Sequence, residues 1–137
     1  MKVFCSYAYT GEDERAVRER MDRVVAALKE NGHDVYCNLF DDGTIGFVNP
    51  EQFMHRALAI LPSYDVVLVI QASARRSEGL LMEVGAALAL HKQIILAQHE
   101  SSVGQTYLPA LANRTETWRN SEELCDIARN LLPVGAA

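Results

Sequence analysis

The residue of this chain best suited to do chemistry is Glu83, a lone carboxylate among apolar and small residues. It lies in the stretch SEGLLMEVGAALAL (residues 77–90), which begins with a glycine-containing turn and continues with a helical pattern. The hydrophobic segment DVVLVI (residues 65–70) comes shortly before this stretch and predicts a strand. A carboxylate held in an apolar pocket near the N–H groups of a helix start can act as a nucleophile or a base. The sequence therefore predicts a reactive site where this strand is followed by this helix.

Strand and helix patterns alternate around that site along the whole chain. The first long helix carries apolar residues at amphipathic spacing, from Val17 to Leu28. A second helix begins at Asn49-Pro50, with asparagine as the cap and proline at the first position, and runs to about residue 61. The third helix begins in the stretch of residues 77–90 and ends near His91, a short one is expected between residues 100 and 112, and the last begins at a capping box near Asn120. The predicted strands are residues 2–7, 34–38, 65–71, 93–98 and, more weakly, 115–118.

This alternation predicts an α/β fold, a single domain over residues 1–137 with a doubly wound parallel sheet and helices on both faces. Five strands favour a flavodoxin-like order 2-1-3-4-5, in which the ligand binds at the carboxyl ends of strands 1 and 3. The loops at that edge are residues 6–13, 38–49, 71–83 and 98–106. Glu83 is therefore expected on the edge of the sheet that binds ligands.

Composition excludes several classes of partner. The formal net charge of −5 argues against a nucleic-acid or anionic-lipid surface, and no apolar run approaches the roughly 20 residues of a membrane span. The first residues lack the layout of a signal peptide. Three cysteines without C-x-x-C spacing favour reduced thiols in a cytoplasmic protein, with no metal site, and no cofactor is predicted.

The pattern S-x-G-x-x-x-E-x-G-x-A at residues 77–87, followed by L-x-K-x-I at residues 90–94, resembles the nucleoside 2-deoxyribosyltransferase family. That family includes nucleoside 5′-monophosphate N-glycosidases. The resemblance implies that Glu83 is the nucleophile that attacks C1′ of the sugar, and that Ser77 and Gly79 line the pocket for the sugar or its 5′-phosphate. It also implies a small-molecule nucleoside or nucleotide substrate and a homodimer or higher oligomer, which a monomeric mass in light scattering would exclude.

The implied chemistry suits these residue types. Cleavage of an N-glycosidic bond develops positive charge at C1′, and a carboxylate close enough to bond forms a covalent glycosyl-enzyme. The helix N-terminus is expected to keep Glu83 ionised, and Gly79 lets the backbone approach the ligand. Water as the acceptor makes the enzyme a hydrolase, and a second base makes it a transferase.

One acid that the resemblance implies is absent. Family members carry an acidic residue at or just after the end of the third strand, whereas this chain reads QASARR at residues 71–76. Glu78, or Asp41 and Asp42 from the preceding loop, are the carboxylates that could replace it. Asp42 is predicted to be the second catalytic residue.

The substrate-binding residues are predicted from the same loops. The monophosphate hydrolases have several phosphate-binding glycines after the first strand, whereas this chain has only Gly11 there. Arg75 and Arg76 could replace those glycines for an anionic substrate. The predicted substrate-binding residues are Ser6, Tyr7, Asn38, Asp41, Ser73, Arg75, Ser77 and Gly79.

Two alternatives stay open at this point. The segments VFCSY (residues 3–7) and GED (residues 11–13) are similar to the opening of TIR domains, some of which use a helix glutamate to cleave the nicotinamide glycosidic bond of NAD. The block at residues 83–92 fits the transferase family better. The other alternative is a non-catalytic nucleotide-binding or interaction module of the same fold, which the absent acid favours and the retained Glu83 disfavours.

Overall fold

The computed structural model describes residues 1–131, so residues 132–137 of the expected domain lie outside the described part. One sheet of five parallel strands is present there, in the order β2-β1-β3-β4-β5, which confirms the predicted fold and strand order. The strands are β1 (Lys2–Tyr7), β2 (Asp34–Tyr36), β3 (Val66–Gln71), β4 (Gln93–His99) and β5 (Arg114–Trp118).

The helices begin at local signals. The Asp13 side chain accepts hydrogen bonds from the first-turn N–H groups of α1, and Gln52 Oε1 accepts from Asn49 N, 2.9 Å away, at the start of α2. The Asn120 side chain accepts from Glu123 N at 2.9 Å and caps α5. The helices are α1 (Glu14–Glu30), α2 (Pro50–Ile60), α3 (Glu78–Ala89), α4 (Leu108–Leu111) and α5 (Ser121–Arg129).

The sheet is covered by two different helical layers. Helices α1 and α5 pack on one face, where Val3 and Cys5 of β1 meet the buried residues of α1. Helices α2, α3 and α4 cover the other face, where Phe4 of β1 packs. Because successive side chains of a strand point to opposite faces, Ser6 points with Phe4 towards α3. Tyr7 packs instead against the core beneath α1.

Strand β2 is shorter than its pattern predicts. It ends at Tyr36 rather than at Asn38, because it pairs with β1 over only three residues and the chain then enters the 3₁₀ turn Asn38–Phe40. A second 3₁₀ turn, Asp42–Thr44, follows before α2. These two turns hold the predicted residues of the β2–α2 loop at the carboxyl edge of the sheet. Among residues 1–131, no helix is long and apolar enough to cross a membrane.

Candidate active site

Glu83 and Ser6 meet on the α3 side of the sheet. Ser6 Oγ donates a hydrogen bond of 2.7 Å to Glu83 Oε1, and Ser6 itself is fully buried. Burial raises the pKa of Glu83 to about 7, although the Ser6 hydrogen bond lowers it. Contrary to expectation, the helix N-terminus does not hold the pKa of Glu83 low, because burial outweighs it. Glu83 lies in the second turn of α3, and the field of a helix end fades within the first turn.

Tyr36 belongs to the surroundings of Glu83. Its ring stacks on Phe4, with ring centroids 5.1 Å apart, and the two residues are register partners on β2 and β1. Burial raises the pKa of Tyr36, and the charge of Glu83 contributes a smaller part of that increase. A carboxylate, a hydroxyl and a phenol thus share the α3 side of β1 and β2.

Asp41 is held by several donors. Arg56 Nε and Nη2 donate to its two carboxylate oxygens at 2.9 and 3.1 Å, Tyr36 Oη donates at 2.9 Å, and Gly43 N donates at 2.8 Å. The Arg56 hydrogen bonds lower the pKa of Asp41 to about 2. Asp42 is exposed, and its carboxylate makes no hydrogen bond or ion pair within residues 1–131. The Asp41 carboxylate is therefore fixed by hydrogen bonds, whereas the carboxylate of the neighbouring Asp42 is exposed to solvent.

Tyr7 and Asn38 are brought together, but away from Glu83. Tyr7 Oη donates to Asn38 Oδ1 and accepts from Cys37 Sγ at 3.6 Å. Burial raises the pKa of Tyr7 far above its ordinary value. Because Tyr7 packs under α1, this pair lies on the opposite face of the sheet from Ser6. The structure therefore divides the predicted site residues of β1 between two faces.

Arg75 contacts the loop that follows β1. Its Nη1 donates to the carbonyl oxygen of Gly11, and its backbone N–H donates to Ser73 Oγ at 3.3 Å. Gly11 has a φ of 81°, a left-handed conformation that favours glycine, whereas a Cβ there would meet only the movable guanidinium end of Arg75. Arg75 thus joins the loops that follow β1 and β3.

Ser77 and Gly79 form the first turn of α3. Ser77 Oγ accepts a hydrogen bond from Leu80 N at 3.3 Å and caps the helix. A Cβ at Gly79 would lie 3.6 Å from Met54 Cε of α2, an ordinary contact distance. The space around Gly79 alone therefore does not require a glycine.

The sequence of this chain matches the model of one protein family. The family model described as nucleoside 2-deoxyribosyltransferase matches residues 6–117, a range that includes every predicted site residue. The chain belongs to the nucleoside 2-deoxyribosyltransferase family. A search of curated proteins gave no significant match.

Solved structures share the fold of this family member. A CMP N-glycosidase from Clostridium botulinum superposes with a TM-score of 0.70 at 20% identity, covering 92% of this chain and 95% of that one. A 2-deoxyribosyltransferase from Bacillus psychrosaccharolyticus has a TM-score of 0.63 at 17% identity, covering 96% and 92%. A conserved protein from Enterococcus faecalis has a TM-score of 0.62 at 12% identity, covering 94% and 98%.

Sequence reasoning missed Tyr36 and Arg56. Tyr36 could have been found, because it ends a strand next to β1 and shares the face of Phe4. Arg56 offers no local signal, since its partner Asp41 lies fifteen residues earlier in the chain. Among residues 1–131 there is no cluster of three His, Cys, Asp or Glu side chains able to hold a metal ion.

Two surface depressions lie away from Glu83. One is lined by residues of β4, β5 and α5, including Ile95 and Ile127. The other lies near the amino ends of β1 and β2, where Lys2, His33 and Tyr64 line it. Neither contains a predicted site residue.

Proposed function

We propose that this protein cleaves or transfers the N-glycosidic bond of a nucleoside or nucleotide, with Glu83 as the nucleophile on C1′. Membership in the nucleoside 2-deoxyribosyltransferase family supports this class of reaction. The observation that carries the role of Glu83 is its burial beside Ser6, with a pKa of about 7. A carboxylate so placed is ionised in a large fraction of molecules at neutral pH. It also lacks the strong hydration that weakens a nucleophile in water.

The reaction proceeds in two steps. A carboxylate oxygen of Glu83 attacks C1′, the C1′–N bond breaks, and its electron pair goes to the nitrogen of the leaving base, which takes a proton from Asp42. Water or a second base then attacks C1′ from the other side and releases the Glu83 carboxylate, while Asp42 recovers a proton from the attacking group. Two inversions at C1′ give net retention of configuration, as in retaining glycosidases.

Asp42 is better placed than Asp41 to move a proton. The Asp41 carboxylate is bonded to Arg56, Tyr36 and Gly43, and with a pKa of about 2 it stays ionised. Asp42 is exposed in the next turn, and its carboxylate has no hydrogen-bond or ion-pair partner within residues 1–131. In this proposal Asp41 fixes the loop after β2, and Asp42 is the proton carrier on that loop.

A homodimer or higher oligomer is part of the proposal. Leu58 of α2 and Leu81, Met82 and Leu88 of α3 are exposed apolar side chains on adjacent helices. Such side chains can form an isologous contact between two copies. Leu61, directly after α2, and Leu80 of α3 are buried in the core of their own chain and do not contribute to that surface.

The test is a chromatographic assay for free base. The protein is incubated with ribo- and deoxyribonucleosides, their 5′-monophosphates and NAD, beside the variants Glu83→Gln and Glu51→Gln. Glu51 is a matched control, an exposed glutamate in the first turn of α2. We expect base release that falls by about 10³-fold or more in Glu83→Gln and is unchanged in Glu51→Gln.

Each other outcome points to a different conclusion. Release that survives in Glu83→Gln would remove Glu83 from the nucleophile role. Release of nicotinamide from NAD alone would favour the TIR-like reaction. No release from any compound by the folded wild-type protein would favour a binding module.

A further inference from the structure

Two cysteines lie next to each other at the edge of the sheet. Cys5 belongs to β1, and Cys37 directly follows β2. The two strands pair in parallel up to Phe4 and Tyr36, and Cys37 keeps an extended backbone, with a φ of −139° and a ψ of 122°. Cys37 therefore continues the register by one residue, to the position beside Cys5.

Both thiols point to the same face of the sheet. Cys5 and Cys37 pack in the core beneath α1, and they are 3% and 5% exposed. Neighbouring strands lie about 4.8 Å apart, so the Cα atoms of register partners are about that far from each other. A disulfide requires Cα atoms roughly 4.4–6.8 Å apart and side chains that do not point away from each other. The two cysteines satisfy both conditions.

The pair is reduced and well protected in the closed sheet. All three cysteines of the chain are free thiols. Cys37 Sγ donates a hydrogen bond to Tyr7 Oη, 3.6 Å away, and burial raises the pKa of both Cys5 and Cys37. Because the thiolate is the reactive form, neither thiol reacts readily while it is buried.

Strand β2 gives the pair its access to solvent. It is the outermost strand, it pairs only with β1, and it does so over three residues. Such an edge opens locally at a lower free energy than the centre of a sheet. Opening of β2 exposes Cys37 first, because Cys5 stays paired with its register partner Leu68 of β3.

We propose that Cys5 and Cys37 form a reversible disulfide when a peroxide oxidises the protein, and that this bond fixes the start of the β2–α2 loop to β1. The Cys37 thiolate attacks one oxygen of hydrogen peroxide, the O–O bond breaks, and Cys37 becomes a sulfenic acid. The Cys5 thiolate then attacks that sulfur, and hydroxide leaves. Two thiols and one hydrogen peroxide thus give one disulfide and two water molecules, and an added thiol reverses the bond.

The disulfide acts on the loop that carries Asp41 and Asp42. Cys37 immediately precedes the 3₁₀ turn Asn38–Phe40, which leads to Asp41. Oxidation replaces the hydrogen bond from Cys37 to Tyr7 by a covalent link to β1. We expect amide hydrogen exchange in residues 38–44 to slow by at least about threefold on oxidation, because opening of β2 then no longer frees the loop. This inference does not depend on the proposed function, since it concerns the edge of the sheet and not the reaction.

The test is peptide mapping of the folded protein after treatment with hydrogen peroxide. The remaining thiols are alkylated, and trypsin then places the three cysteines in separate peptides, residues 3–15, 30–56 and 120–129. We expect one link, between the peptides that hold Cys5 and Cys37, and we expect it to disappear on addition of dithiothreitol.

Two variants separate this pair from general thiol oxidation. Cys37→Ala removes one partner and should abolish the link. Cys125→Ala changes another buried cysteine, on α5, and should keep the link. The oxidised wild type should melt about 5–10 °C above the reduced protein, because the bond closes a long loop of the unfolded chain. Cys37→Ala should show no such difference.

Four results would overturn the inference. One is a folded, peroxide-treated wild type whose three cysteine peptides stay unlinked. Another is a link that includes the peptide of Cys125 or that joins two chains. A third is a link between Cys5 and Cys37 that forms only with loss of the circular dichroism spectrum, since the thiols would then meet in the unfolded chain. The fourth is unchanged hydrogen exchange in residues 38–44 of the oxidised protein.

Discussion

Glu83 and Asp41 are two carboxylates close to the same tyrosine, and their environments are opposite. Glu83 is buried and receives its hydrogen bond from the neutral hydroxyl of Ser6, so its pKa rises to about 7. Asp41 accepts hydrogen bonds from a guanidinium, a phenol and a backbone N–H, so its pKa falls to about 2. The difference shows that a nearby cation makes a carboxylate a structural anchor, whereas burial without a cation leaves it able to exchange a proton near neutral pH.

The largest expected effect is on stability, through Glu83. Its pKa in the folded protein lies above the ordinary value of 4.5, so the unfolded chain loses this proton first as the pH rises. Glu83 therefore lowers the free energy of unfolding progressively between pH 4.5 and about 7, by about 3 kcal/mol in total. Glu83→Gln should be more stable than wild type by about that amount at pH 8 and similar to it at pH 4. Urea unfolding of both proteins across this range measures the difference, and a difference independent of pH would contradict the argument.

A smaller effect is expected from Asp41. Asp41→Asn removes the charge that pairs with Arg56 and should lower the melting temperature at pH 7 by about 5 °C, whereas the matched variant Asp42→Asn should leave it unchanged. Because the pKa of Asp41 is lowered from 3.8 to about 2, its contribution is present above pH 3.8 and disappears as the pH falls towards 2. Calorimetric scans at pH 7 and pH 2 check both statements. If Asp41→Asn and Asp42→Asn lowered the melting temperature equally, the ion pair between Asp41 and Arg56 would not be what stabilises this loop.

The smallest expected effect separates the two influences on the pKa of Glu83, the hydrogen bond from Ser6 and the burial of the carboxylate. If ionised Glu83 is the nucleophile, kcat/KM should rise with pH and reach half its maximum near pH 7. Ser6→Ala removes the hydrogen bond that lowers this pKa, so the midpoint should move up by about one pH unit. The pH profile of base release measures this shift, with Ser63→Ala as an exposed-serine control. An unmoved midpoint would mean that Ser6 does not bind Glu83 in the working enzyme.

Most of the fold could be predicted because its signals are local. The uninterrupted apolar run of β3 indicated a central strand, and Asn49-Pro50 marked the start of α2. Strand β2 was predicted two residues too long. It is an edge strand that pairs over only three residues, and so short a strand has too few residues for an alternating pattern to mark its end.

The site was only partly predictable. The position of Glu83 near the carboxyl edge of the sheet follows from the strand order, which the helix and strand patterns already indicated. Alternation along β1 implies that Ser6 and Tyr7 point to opposite faces, but not which helices cover each face. The ion pair of Asp41 with Arg56 depends on how α2 lies against the loop after β2, and no local pattern carries that information.

The hydrogen bond between Ser6 and Glu83 joins residues 77 positions apart, and this separation governs when the site can exist during synthesis. The first strand leaves the ribosome early, but its partner arrives only after two more strands and two helices have been made. Closing a loop of that length costs chain entropy that the contacts of β3 and α3 must first offset. A nascent or prematurely terminated chain therefore carries the serine without the carboxylate, and the Ser6–Glu83 hydrogen bond forms only once the centre of the sheet is complete.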